Sequence, residues 1–405
     1  MNDFIPRAVQ AQLDAHLEVM PVVVVTGARQ TGKSTLAQRL APSPRRFISL
    51  DDLDTFDAAE RDPDSLLGAP GPITLDEIQR APNLLRAIKG HVDNHRTPGR
   101  FLLTGSANLA LMARVSESLA GRASYLTLWP MTRREQLGLG RAGVWEDLLS
   151  TPDVAWQEVV AGQPAYPEDW RTAVRRGGFP DPAVHIEADT RRSIWFDGYI
   201  QTYLERDLAT LSSVASLVDF RRLVRIACLR IGQVVNQTEM GRDTSIPQPT
   251  VHRYLNLLEV SYLLVRLPAY AVNKTKRLVK SPKLFWCDTG LALRIAATDP
   301  APAHLENLVL CDLLTWRDTR SDPAEISYWR TTTGDEVDFV IETPDALLPI
   351  EVKATSNPRL RDTVRLRTFR KEYPGKSRAG LLLHDGDSVE WLAPDVLAAP
   401  WWRVI

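Results

Sequence analysis

The chain has 405 residues, with 49 Lys plus Arg against 50 Asp plus Glu and a formal net charge of -1. That length corresponds to about two or three domains, and 44% hydrophobic with 24% charged residues excludes a disordered, fibrous or uniformly basic protein. The three cysteines, Cys228, Cys287 and Cys311, are far apart, which argues against a disulfide framework or a cysteine-rich zinc site. The first ten residues lack a basic-then-apolar signal pattern, and no apolar run of about eighteen residues is present to span a bilayer. The reading is a cytoplasmic protein without a membrane partner.

Ile5-Pro6-Arg7 leads into an apolar-periodic stretch through Leu17. Val22 to Val25 is then a continuous β-branched run, the pattern of a parallel strand covered on both faces. Gly27-Ala28-Arg29-Gln30-Thr31-Gly32-Lys33-Ser34 follows and fits G-x-x-x-x-G-K-[ST], with a strand before it and a helix predicted from Ser34 to Leu40 after it. The glycines let successive N–H groups face phosphates, and the helix adds the positive end of its dipole. Lys33 is expected to neutralise the β and γ oxygens and Ser34 to hold Mg²⁺ by its hydroxyl, with Thr35 closing the nucleotide-binding stretch.

Further strands are predicted over 47–50, 73–75, 101–103 and 125–128, with helical stretches such as 83–94 between several of them, an alternation that reads as an α/β sheet. The second of these ends in Asp76-Glu77, where Asp76 is placed to bind Mg²⁺ through water and Glu77 to polarise the attacking water. The third runs into Thr104-Gly105-Ser106. Thr104 and Ser106 are candidates to sense the γ-phosphate, against the alternative of a plain strand-to-loop turn. Arg122, with Arg114 second, is the candidate cation for the transition state, supplied by a neighbouring subunit, against the alternative of a surface arginine. Asn273-Lys274-Thr275-Lys276 lacks the aspartate of a guanine-reading Asn-Lys-x-Asp, so ATP is the preferred nucleotide.

Residues 131–215 read as mostly helical, a lid or connector. Between Asp219 and Lys283 there are twelve Lys or Arg and four Asp or Glu, a basic patch that the whole-chain balance hides. Within it, helices over 236–243 and 249–258 joined by a turn fit a helix-turn-helix, and 261–267 with 273–283 supply a hairpin wing. On that reading Gln248, Thr250, His252 and Arg253 face a major groove, and Lys274, Lys276 and Arg277 contact phosphates. A packing module beside the ATPase is the alternative.

Two strands predicted over 336–341 and 348–353 would bring Asp338 beside Glu351 and Lys353, the last two on one face of their strand. Two carboxylates and a lysine can bind a divalent cation and activate water for phosphodiester hydrolysis, with Glu306 completing the set. A scaffold without that activity is the alternative.

On these residues the chain resembles, over nearly its full length, the bacterial and archaeal AAA-type ATPases with a C-terminal domain of unknown function called DUF4143. The resemblance rests on the P-loop and on Leu75-Asp76-Glu77-Ile78-Gln79-Arg80-Ala81-Pro82, Leu103-Thr104-Gly105-Ser106-Ala107 and Leu119-Ala120-Gly121-Arg122. It continues through Gly177-Gly178-Phe179-Pro180, Tyr203-Leu204-Glu205-Arg206-Asp207, Lys280-Ser281-Pro282-Lys283 and Asp288-Thr289-Gly290-Leu291. It implies an α/β fold: an AAA-type P-loop core over 1–130, a helical lid or connector over 131–215, a winged helix over 216–283 and a restriction-endonuclease-like α/β domain over 284–405. It also implies a homo-oligomeric ring, a hexamer among its forms. The expected function is Mg²⁺-dependent ATP hydrolysis coupled to DNA binding or remodelling, in the manner of a translocase. The alternatives are a nucleotide-dependent protein-interaction switch and an ATPase-coupled, metal-dependent nuclease.

Overall fold

The computed structural model describes residues 4–39, 45–105, 119–207, 214, 216–273, 275, 277 and 280–405. Strands β1 (Val22–Thr26), β2 (Arg46–Ser49), β3 (Ile73–Asp76), β4 (Phe101–Thr104) and β5 (Ala123–Thr127) pair in parallel in the order β2-β3-β4-β1-β5. β1, β3 and β4 are buried at every position, the physical reason they read as unbroken apolar runs. One face packs Val22 and Val24 against Ile73, Ile88 and Leu103, and the other packs Val23 and Val25 against Leu13, Leu36 and Leu126. Helices α1 (Gln10–Val19), α2 (Lys33–Arg39) and α3 (Leu84–Asn94) supply part of that cover. A wholly parallel sheet puts every carboxyl end on one edge, so the segments after β1, β3 and β4 meet there.

The rest of the chain adds α4 (Asp189–Tyr199), then α5 (Leu217–Leu229), α6 (Gln237–Thr244) and α7 (Gln248–Val260), followed by the antiparallel pair β6 (Leu264–Leu267) and β7 (Lys283–Trp286). The expected helix pair is present with the expected cap: the Asn236 side chain accepts from the Glu239 amide at the start of α6. Pro247 precedes α7 with a second proline in its first turn, where a missing N–H costs nothing. Helix α8 (Pro302–Asp318) leads into a mixed sheet of β8 (Glu325–Arg330), β9 (Glu336–Glu342), β10 (Leu347–Lys353), β11 (Gly380–His384), β12 (Glu390–Ala393) and β13 (Val396–Pro400), in the order β12-β13-β11-β10-β9-β8.

One hydrophobic cluster runs through this second body from Trp129 to Ile405, joining Trp145, Trp156 and Trp170 to Phe220, Trp286 and Trp401. The segment read as a lid or connector is thus a packing partner of the C-terminal sheet. Hydrogen bonds repeat the connection: the Val144 amide donates to the Val404 carbonyl (3.0 Å), Arg133 to the Trp402 carbonyl (3.1 Å) and Arg134 to the Arg403 carbonyl (2.6 Å). Among the described residues, no helix is long and apolar enough to cross a membrane.

Arg7 ties the parallel sheet to this body. Its side chain is 7% exposed and donates to the Thr31 carbonyl (2.8 Å), the Trp129 carbonyl (2.7 Å) and the Glu135 carboxylate (3.0 Å), itself 1% exposed. Truncating one member of a buried ion pair leaves the other charge uncompensated, so Arg7→Met is expected to cost about 3–5 kcal/mol. Urea unfolding measures this, and a loss below about 1 kcal/mol would mean that water screens the pair.

Candidate functional site

The loop after β1 turns through backbone angles that most side chains avoid, with φ of 140° at Gly27, 61° at Gln30 and 93° at Gly32. A Cβ at Gly27 would lie 2.3 Å from the Leu128 carbonyl oxygen, so glycine is required there. The buried Lys33 ammonium folds back to donate to the carbonyls of Ala28 (2.7 Å) and Gly27 (3.3 Å). Burial pulls its pKa down to about 8, against the raising pull of Glu77 and Asp76.

The carboxyl ends of β3 and β4 complete the site. Ser34 Oγ donates to Asp76 Oδ1 at 2.9 Å, and the buried Thr104 hydroxyl donates to the same oxygen. Glu77 adopts the left-handed conformation (φ 58°, ψ 45°), uncommon outside glycine. Its carboxylate accepts from the Gln79 amide, and burial raises its pKa although Lys33 opposes the shift. Thr35 is exposed on α2, and the Arg29 guanidinium lies 5.6 Å from the centre of the Tyr203 ring. Residues far apart in sequence, read separately as phosphate, metal and water groups, therefore converge. Ser106 and Arg114 lie outside the described residues.

Arg122 does not join them. It precedes β5, where its carbonyl accepts from the Val22 amide, so it stands at the amino edge of the sheet, roughly 17 Å of strand from the P-loop. There it pairs with Asp93. This placement puts it out of reach of a γ-phosphate held by the P-loop of its own chain.

Two contacts escaped the sequence reading. Tyr199 donates its hydroxyl to the Arg29 carbonyl (3.4 Å). Tyr262, just beyond α7, shares a hydrogen bond with the Thr26 hydroxyl (3.0 Å) and sets its ring edge-on to Trp129 at 5.9 Å. The one sequence signal was a tyrosine at a helix exit, where glycine is favoured.

The groups expected on DNA divide. Gln248, His252 and Arg253 are exposed and Thr250 is half-buried. Gln248 donates to Gln237, His252 shares a hydrogen bond with Asn256, and Arg253 lies over the Tyr254 ring. Lys274 and Lys276 lie outside the described residues. Arg277 is corrected: it is buried, stacked on Tyr270 and paired with Glu325 and Glu342, so no phosphate can reach it. At least six of the twelve cations have a carboxylate partner, Arg221 and Arg222 at the surface and Arg230, Arg266, Arg277 and Lys283 less exposed. The sequence count therefore overstates the free positive charge.

The C-terminal groups are brought together, yet not as a metal centre. β9 and β10 pair antiparallel, with Phe339 opposite Ile350. Asp338 accepts from the Val352 amide (2.8 Å) and has Lys283 at 3.9 Å, while Glu351 accepts from Lys353 (2.6 Å). A main-chain amide thus holds one Asp338 oxygen and Lys353 one Glu351 oxygen, while the other Glu351 oxygen is buried without a hydrogen-bond partner, and among the described residues no group of three or more His, Cys, Asp or Glu side chains is arranged to hold a metal. Burial and neighbouring carboxylates raise Glu306 to about 8 and Glu351 to about 7.

Two pH effects follow. Raised folded-state carboxyl pKa values mean that protons are released on unfolding, so this cluster's stabilisation is complete below about pH 4.5, the ordinary glutamate value, and is lost as pH rises to about 8. Glu306→Gln should therefore raise the thermal midpoint at pH 8 more than at pH 5; an equal shift at both would contradict the assignment. For Lys33, nucleotide affinity should be flat below about pH 8 and fall by up to about tenfold per pH unit above it. Titration with a fluorescent nucleotide reads this, and a flat profile to pH 10 would count against a depressed lysine.

Three family models match in succession: an AAA domain over 20–137, a domain of unknown function (DUF8612) over 167–301 and the domain of unknown function DUF4143 over 302–404. Uncharacterised proteins of Mycobacterium tuberculosis and Mycobacterium bovis are each 31% identical over 394 residues, covering 92% of this chain and 80% of the relative. An uncharacterised protein of Haemophilus influenzae is 22% identical over 285 residues, covering 69% of this chain and 64% of its own. Among solved structures, the Walker-type ATPase of Pyrococcus abyssi aligns with 72% of this chain and 99% of its own at 16% identity, with a TM-score of 0.41. The order of the matched segments and the extent of the mycobacterial identity place the chain in the family of AAA-type ATPases that carry a C-terminal DUF4143 domain.

Proposed function

We propose that the protein binds Mg²⁺-ATP at the loop after β1, hydrolyses it, and passes the resulting change to the unit formed by α5, α6, α7 and the β6–β7 pair, a winged helix that contacts duplex DNA. The observation that carries the catalytic part is the convergence of Ser34 and Thr104 on one Asp76 oxygen beside Lys33 and Glu77. Loop amides and the α2 amino end grip the phosphates. Lys33 exchanges its two carbonyl partners for β and γ oxygens. Ser34 and Asp76 are hard oxygen donors that fit Mg²⁺, which takes few protein ligands beside phosphate and water. When bound, the ion neutralises charge on the leaving oxygens.

Glu77 is the general base. Its raised pKa brings it toward the range where a carboxylate can hold the proton of the attacking water. The nucleoside is assigned to a cavity of about 350 Å³ beside the loop, lined by Phe4, Ile5, Gly32, Thr35, Pro180 and His185 among others. DNA contact rests on the exposed amino end of α7, with Gln248, His252 and Arg253. A homo-oligomer in which a neighbour's Arg122 approaches the γ-phosphate completes the scheme.

Lys33→Ala is expected to abolish nucleotide binding in calorimetric titration. Glu77→Gln should retain binding within a few-fold while kcat falls about 10²–10⁴-fold, measured by phosphate release. Hydrolysis at the native rate in Glu77→Gln would remove the base assignment. Duplex DNA should stimulate phosphate release, with a stimulation that falls steeply with salt and is weakened by Arg253→Ala. No stimulation and no salt-dependent binding would instead support a nucleotide-dependent protein-interaction switch.

A further inference from the structure

Tyr262 breaks a local rule at a place where the break makes a specific contact. Helix α7 closes with the Leu263 amide donating to the Leu258 carbonyl (3.0 Å) and the Tyr262 amide to the Glu259 carbonyl (2.9 Å). Such an ending places one residue in the left-handed region, usually glycine. Here it is a tyrosine with φ of 57°. A bulky side chain persists in that conformation where its surroundings over-determine it, and such positions cluster at ligand clamps and switch regions.

The surroundings identify the clamp. Thr26 Oγ1 donates to the Leu126 carbonyl (3.2 Å), which leaves the Tyr262 hydroxyl to donate to Thr26 Oγ1 (3.0 Å). Thr26 ends β1 and immediately precedes Gly27, whose carbonyl is a partner of Lys33. On its other side Tyr262 is continuous with the hairpin: β6 begins at Leu264, and the Leu263 carbonyl accepts from the Cys287 amide (2.9 Å). The ring rests on Trp129, whose indole N–H is held by Asp318 (2.7 Å) at the end of α8.

We propose that Tyr262 is the positioning residue through which the nucleotide state of the loop is read by α7 and the β6–β7 pair. This rests on the ATP-binding reading above and adds the route. When Lys33 turns from the Gly27 carbonyl to a phosphate, the peptide joining Gly27 to Ala28, one residue beyond Thr26, loses a constraint. The turn at Gly27 shifts the adjoining Thr26 hydroxyl, and Tyr262 carries the displacement to the end of α7.

The test compares the full chain with Tyr262→Phe, which removes only the hydroxyl, and Tyr262→Gly, which supplies the residue the helix end favours. Calorimetry with Mg²⁺-ADP gives affinity, and amide hydrogen exchange over 248–267, with and without Mg²⁺-ADP, gives the transmitted effect. In the native chain the nucleotide should slow exchange there. In Tyr262→Phe that difference should shrink at least about fivefold, while the ADP dissociation constant moves less than about threefold. Tyr262→Gly, which removes ring and hydroxyl together, should lose the difference as well. Full nucleotide-dependent protection in Tyr262→Phe would overturn the proposal. If the native chain binds ADP with no change over 248–267, this proposal alone falls; if it does not bind ADP, the nucleotide reading falls and takes this one with it.

Discussion

A loop that turns its amides toward a phosphate must leave its carbonyls behind, and everything else in this structure depends on how those carbonyls are held. The Gly27 and Ala28 carbonyls accept from Lys33, that of Arg29 from Tyr199 and that of Thr31 from Arg7. The strained path through Gly27, Gln30 and Gly32 is therefore fastened from behind. The fasteners come from three places: the loop's own lysine, the segment ahead of β1 and a helix of the second body. Groups that fix a backbone in advance lower the reorganisation needed when a ligand arrives.

Electrostatics divides the molecule differently from the sequence count. Segment 219–283 is strongly basic as text, but much of that charge is spent internally. Arg277 neutralises Glu325 and Glu342, and Lys283 meets Glu336 and Asp338. The same two side chains explain two results at once. They thin the positive surface available to a polyanion, and the second of them places a positive charge beside the buried Asp338. A buried amine and a bound metal are alternative solutions to the same desolvated negative charge.

The parallel sheet was legible because buried strands have an unmistakable apolar pattern, and the groups after β1, β3 and β4 were legible because parallel pairing brings their ends together whatever the loops do. Asn236 announced the start of α6, and the alternation around Glu351 and Lys353 announced β10. Arg7 and Tyr262 were not legible. Their roles depend on partners 24 to 236 positions away, and no periodicity encodes such a distance. The sheet edge that Arg122 occupies was not legible either: sequence shows that it borders a strand, but the edge follows from the direction of that strand. Arg277 shows the remaining weakness, since composition counts a charge without its counter-ion.

The tryptophan-lined cluster has a consequence for how such chains diversify. Trp145, Trp156 and Trp170 share a core with Trp401, and the carbonyls of Trp402, Arg403 and Val404 are bound by residues 133, 134 and 144. The family border at 301/302 therefore cuts through packed side chains. A recombination there would hand the recipient half of an interlocked surface, so the last hundred residues are inherited together with the middle of the chain or their seam must be rebuilt by compensating substitutions.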